Sequence, residues 1–206
     1  MNRDLKETYD RIAEDWIADH ESDTWWIAGA DKFVSFLKTG DRVLDVGCAG
    51  GRKTDYLTEK GLVATGIDFS EKMIALAKKR FPKLPFFVKD IGQPLGLEEK
   101  FDGIFAQAVL LHIRKAEVKN VMARLVDQLK PGGCLYIAVK GLPAGRADEA
   151  LIDGHEYGYA YQRFFSFYTL AELNGYLTDL NLRVVFNNTS SIGKVEWVEV
   201  IAQKTS

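Results

Sequence analysis

The sequence predicts an α/β fold: a doubly wound, mostly parallel sheet of seven strands that ends in an antiparallel hairpin. Three observations predict it. Apolar runs of strand length alternate with helical patterns between residues 41 and 139. The first run, Val43-Leu44-Asp45-Val46, breaks into the glycine loop Gly47-Cys48-Ala49-Gly50-Gly51 just before a helical pattern. Near the end, two strand patterns flank Ser190-Ser191-Ile192-Gly193, the arrangement of a hairpin.

The elements follow in order. Leu5, Tyr9, Ile12, Ala13 and Trp16 recur at helical spacing and predict an amphipathic helix over residues 4–20. Trp25 and Trp26 fall in a connection, and a second helix is expected over Asp31–Lys38, ending at Gly40. Strand one is Arg42–Val46, and its helix stops at Gly61. Strand two is Leu62–Ile67 with Asp68 at its tip, and Ser70 is the N-cap of the next helix. Strand three is Pro85–Lys89, strand four Phe101–Ala106. Val118, Val121, Met122, Leu125 and Leu129 give a helix its apolar face, Lys130-Pro131-Gly132-Gly133 stops it, and strand five is Cys134–Val139. Strands alternating with helices imply right-handed crossovers. Residues 140–168 read as an irregular, aromatic-rich segment. Thr169-Leu170-Ala171-Glu172 is a capping box, with Tyr168 and Leu173 placed as a hydrophobic staple. Strands Leu182–Asn187 and Val195–Gln203 close the chain.

Composition narrows the function. The 206 residues suit one domain, divided by pattern into a helical cap (1–40), a ligand-binding core (41–139), a lid segment (140–168) and a terminal helix and hairpin (169–206). A net charge of −2 with unclustered basic residues argues against a nucleic-acid surface or an anionic membrane. No segment reaches the roughly 18 apolar residues that span a bilayer. The opening Met1-Asn2-Arg3-Asp4-Leu5-Lys6-Glu7 is too polar and acidic for a secretory signal. Cys48 and Cys134 lie in or beside strands without a CxxC spacing, so no metal site is expected and a reducing, cytoplasmic setting fits. The oligomeric state is not legible.

The glycine loop decides the ligand class. A phosphate-binding P-loop requires Lys-Ser/Thr after its glycines at a spacing that Gly51-Arg52-Lys53-Thr54 does not give. A dinucleotide fingerprint requires glycine at its first, third and sixth positions; counted from Gly47 these are Gly47, Ala49 and Arg52. Asp45-Val46-Gly47-Cys48-Ala49-Gly50-Gly51 instead resembles the first motif of class I S-adenosylmethionine-dependent methyltransferases. The resemblance continues in order through Gly66-Ile67-Asp68-Phe69-Ser70, Lys89-Asp90-Ile91, Phe101-Asp102-Gly103-Ile104-Phe105-Ala106 and Leu129-Lys130-Pro131-Gly132-Gly133. It covers roughly residues 41 to 139. One departure is Ala49, where that family often has glycine.

The resemblance implies a Rossmann-like fold, S-adenosyl-L-methionine as cofactor and S-adenosyl-L-homocysteine as product. It places Gly47, Cys48, Ala49 and Gly51 in the cofactor loop and Asp68, 21 positions after Gly47, on the two ribose hydroxyls. Asp90 and the Ile91 N–H would meet adenine, Asp90 being equally readable as a turn former. Phe69 and Met73 would pack on the adenosine. Asp45, an acid inside an apolar strand, needs donors from either the loop or the cofactor's ammonium. Residues 107–112 would face the transferred methyl, with Gln107 on the cofactor, Leu111 on the acceptor and His112 as base or acceptor ligand. They lack the Asn/Asp-Pro-Pro-aromatic signature of nucleobase amine methylation.

The acceptor side falls to parts outside the shared core: Tyr9, Trp16, Trp25 and Trp26, and a lid containing Tyr159, Tyr161 and Arg163. The aromatic lid suits a small, partly apolar acceptor, and Arg163 suits an anionic group on it. Methyl transfer to an O, N or C atom of a small molecule is the reading this supports, with quinone-biosynthesis methyltransferases as the branch resembled. The alternatives are an RNA or protein methyltransferase, a non-catalytic cofactor-binding regulator, and an NAD-dependent dehydrogenase, which the glycine count disfavours.

Overall fold

A computed structural model of the chain describes residues 3–205; of the polar opening segment, Met1 and Asn2 lie outside the described residues. In order, the elements are α1 (Arg3–Asp19), α2 (Ile27–Val34), β1 (Arg42–Val46), α3 (Arg52–Glu59), β2 (Val63–Asp68), α4 (Glu71–Arg80), β3 (Phe86–Val88) and β4 (Phe101–Gln107). A 3-10 turn at Leu110–His112 leads to α5 (Lys115–Asp127), β5 (Leu129–Lys140), β6 (Glu149–Gly154), β7 (Tyr161–Ser166), α6 (Leu170–Asp179), β8 (Leu182–Ile192) and β9 (Val195–Lys204).

The expected sheet is present. Seven strands lie in the order β3-β2-β1-β4-β5-β9-β8. β1 to β5 are parallel, and β9 and β8 add antiparallel to β5. The inner strands are buried almost throughout, as a sheet covered on both faces requires. Phe105 and Tyr136 stack at 4.5 Å and Phe33 of α2 packs against both, joining helix to sheet. Strand order reverses between β1 and β4, so a crevice opens at their C-terminal ends.

α1 straps across that crevice. Asp10 accepts hydrogen bonds from Ser70 Oγ at 2.6 Å and the Lys72 N–H at 3.1 Å, fixing α1 to the start of α4. On its other side, the Thr8 hydroxyl and the Arg11 guanidinium donate to the Gln162 and Ala160 carbonyls. Both expected caps form: Ser70 Oγ accepts from the Met73 N–H at the start of α4, and Thr169 Oγ1 accepts from the Glu172 N–H at the start of α6. The second half of the Thr169 box does not form, because the Glu172 carboxylate takes Lys115 Nζ at 2.6 Å instead.

Four expectations are corrected. α2 spans Ile27–Val34, not Asp31–Lys38, because Gly29, Ala30 and Phe33 form its buried face and the chain turns at Lys38–Asp41. α5 stops at Asp127; Leu129 already pairs with Phe101, and Lys130–Gly133 form an irregularity within β5 rather than a helix stop. β8 runs on to Ile192, so the terminal turn is Gly193-Lys194, with Gly193 at φ +59°. Residues 140–168 are not irregular: β6 and β7 pair antiparallel from Glu149↔Ser166 to Gly154↔Tyr161. Burial along β7 does not alternate strictly: Tyr161, Phe165 and Ser166 are buried, Gln162 is exposed, and Arg163 and Phe164 lie between.

Candidate active site

The glycine loop is folded back on β2. The N–H groups of Gly47 and Cys48 both donate to the Ile67 carbonyl, at 2.8 and 3.0 Å. Gly47 has φ +69°, and a Cβ there would lie 2.8 Å from Val109 Cγ2, so only glycine fits. Ala49 also takes the left-handed conformation, φ +46°, which accounts for glycine's usual place there and costs this chain on the order of 1 kcal/mol. Its N–H meets Asp68 Oδ2 at 3.0 Å, tying the loop to the β2 tip.

Asp68 is buried, with Oδ1 accepting from the Ser70 N–H at 2.9 Å. Burial raises its pKa to about 6 against the pull of these two N–H donors. Asp45 is also buried: burial raises its pKa to about 6, and Thr54 Oγ1 donates to it at 2.6 Å. Thr54 lies on α3, so Asp45 braces the loop against the following helix and does not reach the crevice.

A cavity of about 450 Å³ opens at the strand tips. Its lining includes Gly47, Cys48, Ala49, Asp68, Phe69, Met73 and Ile91. Gln107, Leu111, His112, Tyr9, Trp16, Trp25, Trp26 and Arg163 line it as well. Five expected residues do not line it. Asp45 braces α3, and Gly51 (φ +84°) is the N-cap of α3, packed under the Phe86 ring. Asp90 Oδ1 accepts the Gly92 N–H at 2.7 Å, the turn-forming role. Tyr161 donates to Glu156 within the β6–β7 connection, and Tyr159 donates to Asp15 of α1 at 2.9 Å under the Arg11 guanidinium, so only Tyr159 ties the hairpin to α1.

Two of these side chains define its polar chemistry. Gln107, at the end of β4, is buried, and neither its Oε1 nor its Nε2 has a partner among the described residues. A buried amide costs free energy until something pairs with it, so Gln107 has hydrogen-bonding capacity to spare where it lines the cavity. His112 is held at both nitrogens. Nδ1 is 2.7 Å from the Phe164 carbonyl, which only accepts, so Nδ1 carries the proton. Nε2 is then the acceptor, 2.8 Å from the Tyr9 hydroxyl. Burial, with Arg163 and Lys140 nearby, lowers the His112 pKa to about 3 despite the Phe164 carbonyl. The ring lines the cavity, but its one basic lone pair is occupied.

Several lining residues lie outside the sequence expectations. Trp197 of β9 packs on Trp25, ring centroids 4.4 Å apart. Lys140 ends β5, with Nζ 3.9 Å from the Phe165 ring centroid. A lysine closing the apolar run Cys134–Val139 at a parallel strand's C-terminal tip is a readable signal, since ligands bind at that edge. Trp197 carries no such signal, because it meets Trp25 only once β9 has paired with β5.

The described residues include no group of His, Cys, Asp or Glu that could hold a metal ion, and no helix long and apolar enough to cross a membrane. The groups present do fit an adenosyl cofactor. Asp68 offers carboxylate acceptors beside a loop stripped of side chains, and Gln107 offers an unpaired amide in the same cavity.

Comparison with known proteins agrees. Residues 43–133 match a family described as "Methyltransferase domain". Trans-aconitate 2-methyltransferase of Delftia acidovorans is 37% identical over 105 residues, 49% of this chain and 38% of that protein. Ubiquinone biosynthesis O-methyltransferase of Coxiella burnetii is 32% identical over 105 residues, 48% of this chain and 43% of that protein. The chain thus spans half or less of the length of such curated relatives. Among solved structures, the Burkholderia thailandensis 1,6-didemethyltoxoflavin-N1-methyltransferase, with bound 1,6-didemethyltoxoflavin and S-adenosylhomocysteine, superposes with TM-score 0.78 at 20% identity, covering 98% of this chain and 88% of that one. A Clostridium acetobutylicum S-adenosylmethionine-dependent methyltransferase gives 0.77 at 17% identity, covering 96% and 99%. Residues 43–133 thus match a methyltransferase domain, and the fold is similar to that of solved S-adenosylmethionine-dependent methyltransferases. The match to that domain covers less than half of the chain.

Proposed function

We propose that the protein transfers the methyl group of S-adenosylmethionine to an atom of a small-molecule acceptor. The observation that carries this is one continuous cavity that joins the Asp68 carboxylate and glycine loop to the unpaired Gln107 amide and the aromatic strap beyond. Bound there, the cofactor supplies a methyl group on a sulfonium, a good leaving group. The chain's own task is then placement and dryness. Asp68 takes the ribose hydroxyls, Gln107 pairs at the junction, and Tyr9, Leu111, Trp25 and Phe165 shape the space for the acceptor. His112 holds Tyr9 in place and is not a base, since its lone pair is engaged and its pKa lies far below neutrality. An O, N or C acceptor that is already nucleophilic suits such a site.

Two observations support the small-molecule reading. The aromatic strap lines the cavity, and curated relatives are named for trans-aconitate and for ubiquinone biosynthesis. Two free, buried cysteines suit a reducing, cytoplasmic setting. Incubation with methyl-labelled cofactor tests the reading: label is expected in a metabolite fraction. Label in total RNA or protein instead would favour the macromolecular alternative.

A further inference from the structure

Lys140 and Arg163 converge on one ring inside the cavity. Lys140 Nζ lies 3.9 Å, and Arg163 Cζ 5.5 Å, from the Phe165 centroid. They come from different elements, the end of β5 and the middle of β7, and both line the cavity beside His112. Among the described residues no carboxylate forms an ion pair with either. Glu156 feels Arg163 but accepts the Tyr161 hydroxyl, and the Tyr9 hydroxyl beside Arg163 is neutral. The pair is uncomfortable as it stands: burial first, then Arg163, lowers the Lys140 pKa to about 8. Two like charges in a half-buried site are costly unless an anion completes them.

Resting on the methyltransferase reading, we infer that the acceptor carries a carboxylate anchored between Lys140 and Arg163, and that the methyl goes to a different atom. The first half follows from the unpaired cations and the planar guanidinium, which matches a carboxylate. The second follows from charge. If the carboxylate itself attacked a sulfonium, its negative charge would vanish during transfer, and two cations holding that charge would oppose the reaction. As an anchor the charge persists, and the cations orient the rest of the molecule without cost to the step. The Phe165 ring and Leu111 offer apolar surface for that remainder.

Titration calorimetry on protein saturated with adenosylhomocysteine tests this, using acetate and benzoate against acetamide and benzamide. Saturable binding of a carboxylate but not of its amide is expected. Lys140→Met and Arg163→Met should each weaken it at least tenfold while adenosylhomocysteine affinity, which also reports folding, stays within about twofold. Amides that bind as well as the carboxylates, variants that bind the carboxylates like the parent, or no carboxylate binding at all would overturn the anchor and leave the cofactor reading standing. Failure of the parent protein to bind adenosylhomocysteine would instead remove the reading beneath it. A labelled product that releases methanol in mild base and keeps no free carboxylate is the ester of the anchored group and contradicts the anchor role.

Discussion

The Tyr9 hydroxyl lies 2.8 Å from His112 Nε2, joining the strap helix α1 to the turn after β4. Burial raises the Tyr9 pKa to about 12, partly offset by the adjacent Arg163, while His112 is lowered to about 3. With the Nδ1 proton held by the Phe164 carbonyl, the Tyr9 hydroxyl is the donor of this bond.

Tyr9→Phe should cost about 1–2 kcal/mol of stability, because Nε2 loses its donor in a partly buried site. With cofactor and acceptor bound, the pH profile of turnover should show no ionisation belonging to His112 between about pH 5 and 8. A profile with an inflection near the ordinary histidine pKa that disappears in His112→Gln would restore histidine as a base.

His112 also sets a pH dependence of stability. Its folded pKa of about 3 lies below the ordinary 6.5, so its contribution is complete above 6.5 and is lost as pH falls toward 3. Asp45 and Asp68, raised from 3.8 to about 6, act in the opposite sense and favour the folded state as pH falls through that window. The histidine part is isolated by comparing urea denaturation of the parent and His112→Asn. The difference between them should shrink from about pH 7 to about pH 4, by up to about 1.4 kcal/mol per pH unit.

Gln107→Met removes the unpaired amide at nearly constant volume. The unliganded variant should melt at the same temperature as the parent or higher, since no protein hydrogen bond is lost. Adenosylhomocysteine affinity should fall about fivefold to tenfold, the worth of one hydrogen bond. A variant that loses stability but not affinity would make Gln107 structural.

The sheet, the glycine loop and Asp68 are legible in the sequence because each rests on local pattern: a buried strand, left-handed glycines at Gly47 and Gly51, an acid at a strand tip. The β6–β7 hairpin is not, because neither strand alternates between buried and exposed positions, so no period of two shows. Asp45 and Asp90 carry two readings each from sequence. The structure adds the Thr54 hydroxyl beside Asp45 and the Gly92 N–H beside Asp90, the first of them a contact that no local pattern shows. Lys140 and Trp197 enter the cavity through long-range placement, and the partner of His112 Nε2, Tyr9, lies 103 positions away.

Asp68→Ala removes the acceptor for both Ser70 and Ala49 as well as for a ribose, so adenosylhomocysteine affinity should fall at least tenfold. Asp68→Asn keeps the side-chain volume and so separates loss of the carboxylate from a shift of the loop. It too should bind more weakly.

On the proposed reading, the cavity at the strand tips takes an adenosyl-sulfur cofactor. Calorimetric titration of the parent protein with adenosylhomocysteine, alongside NAD, tests this most directly. One saturable adenosylhomocysteine site per chain, displaced by adenosylmethionine and untouched by NAD, is the predicted result. No adenosylhomocysteine binding, or tighter binding of the nicotinamide cofactor, would contradict it.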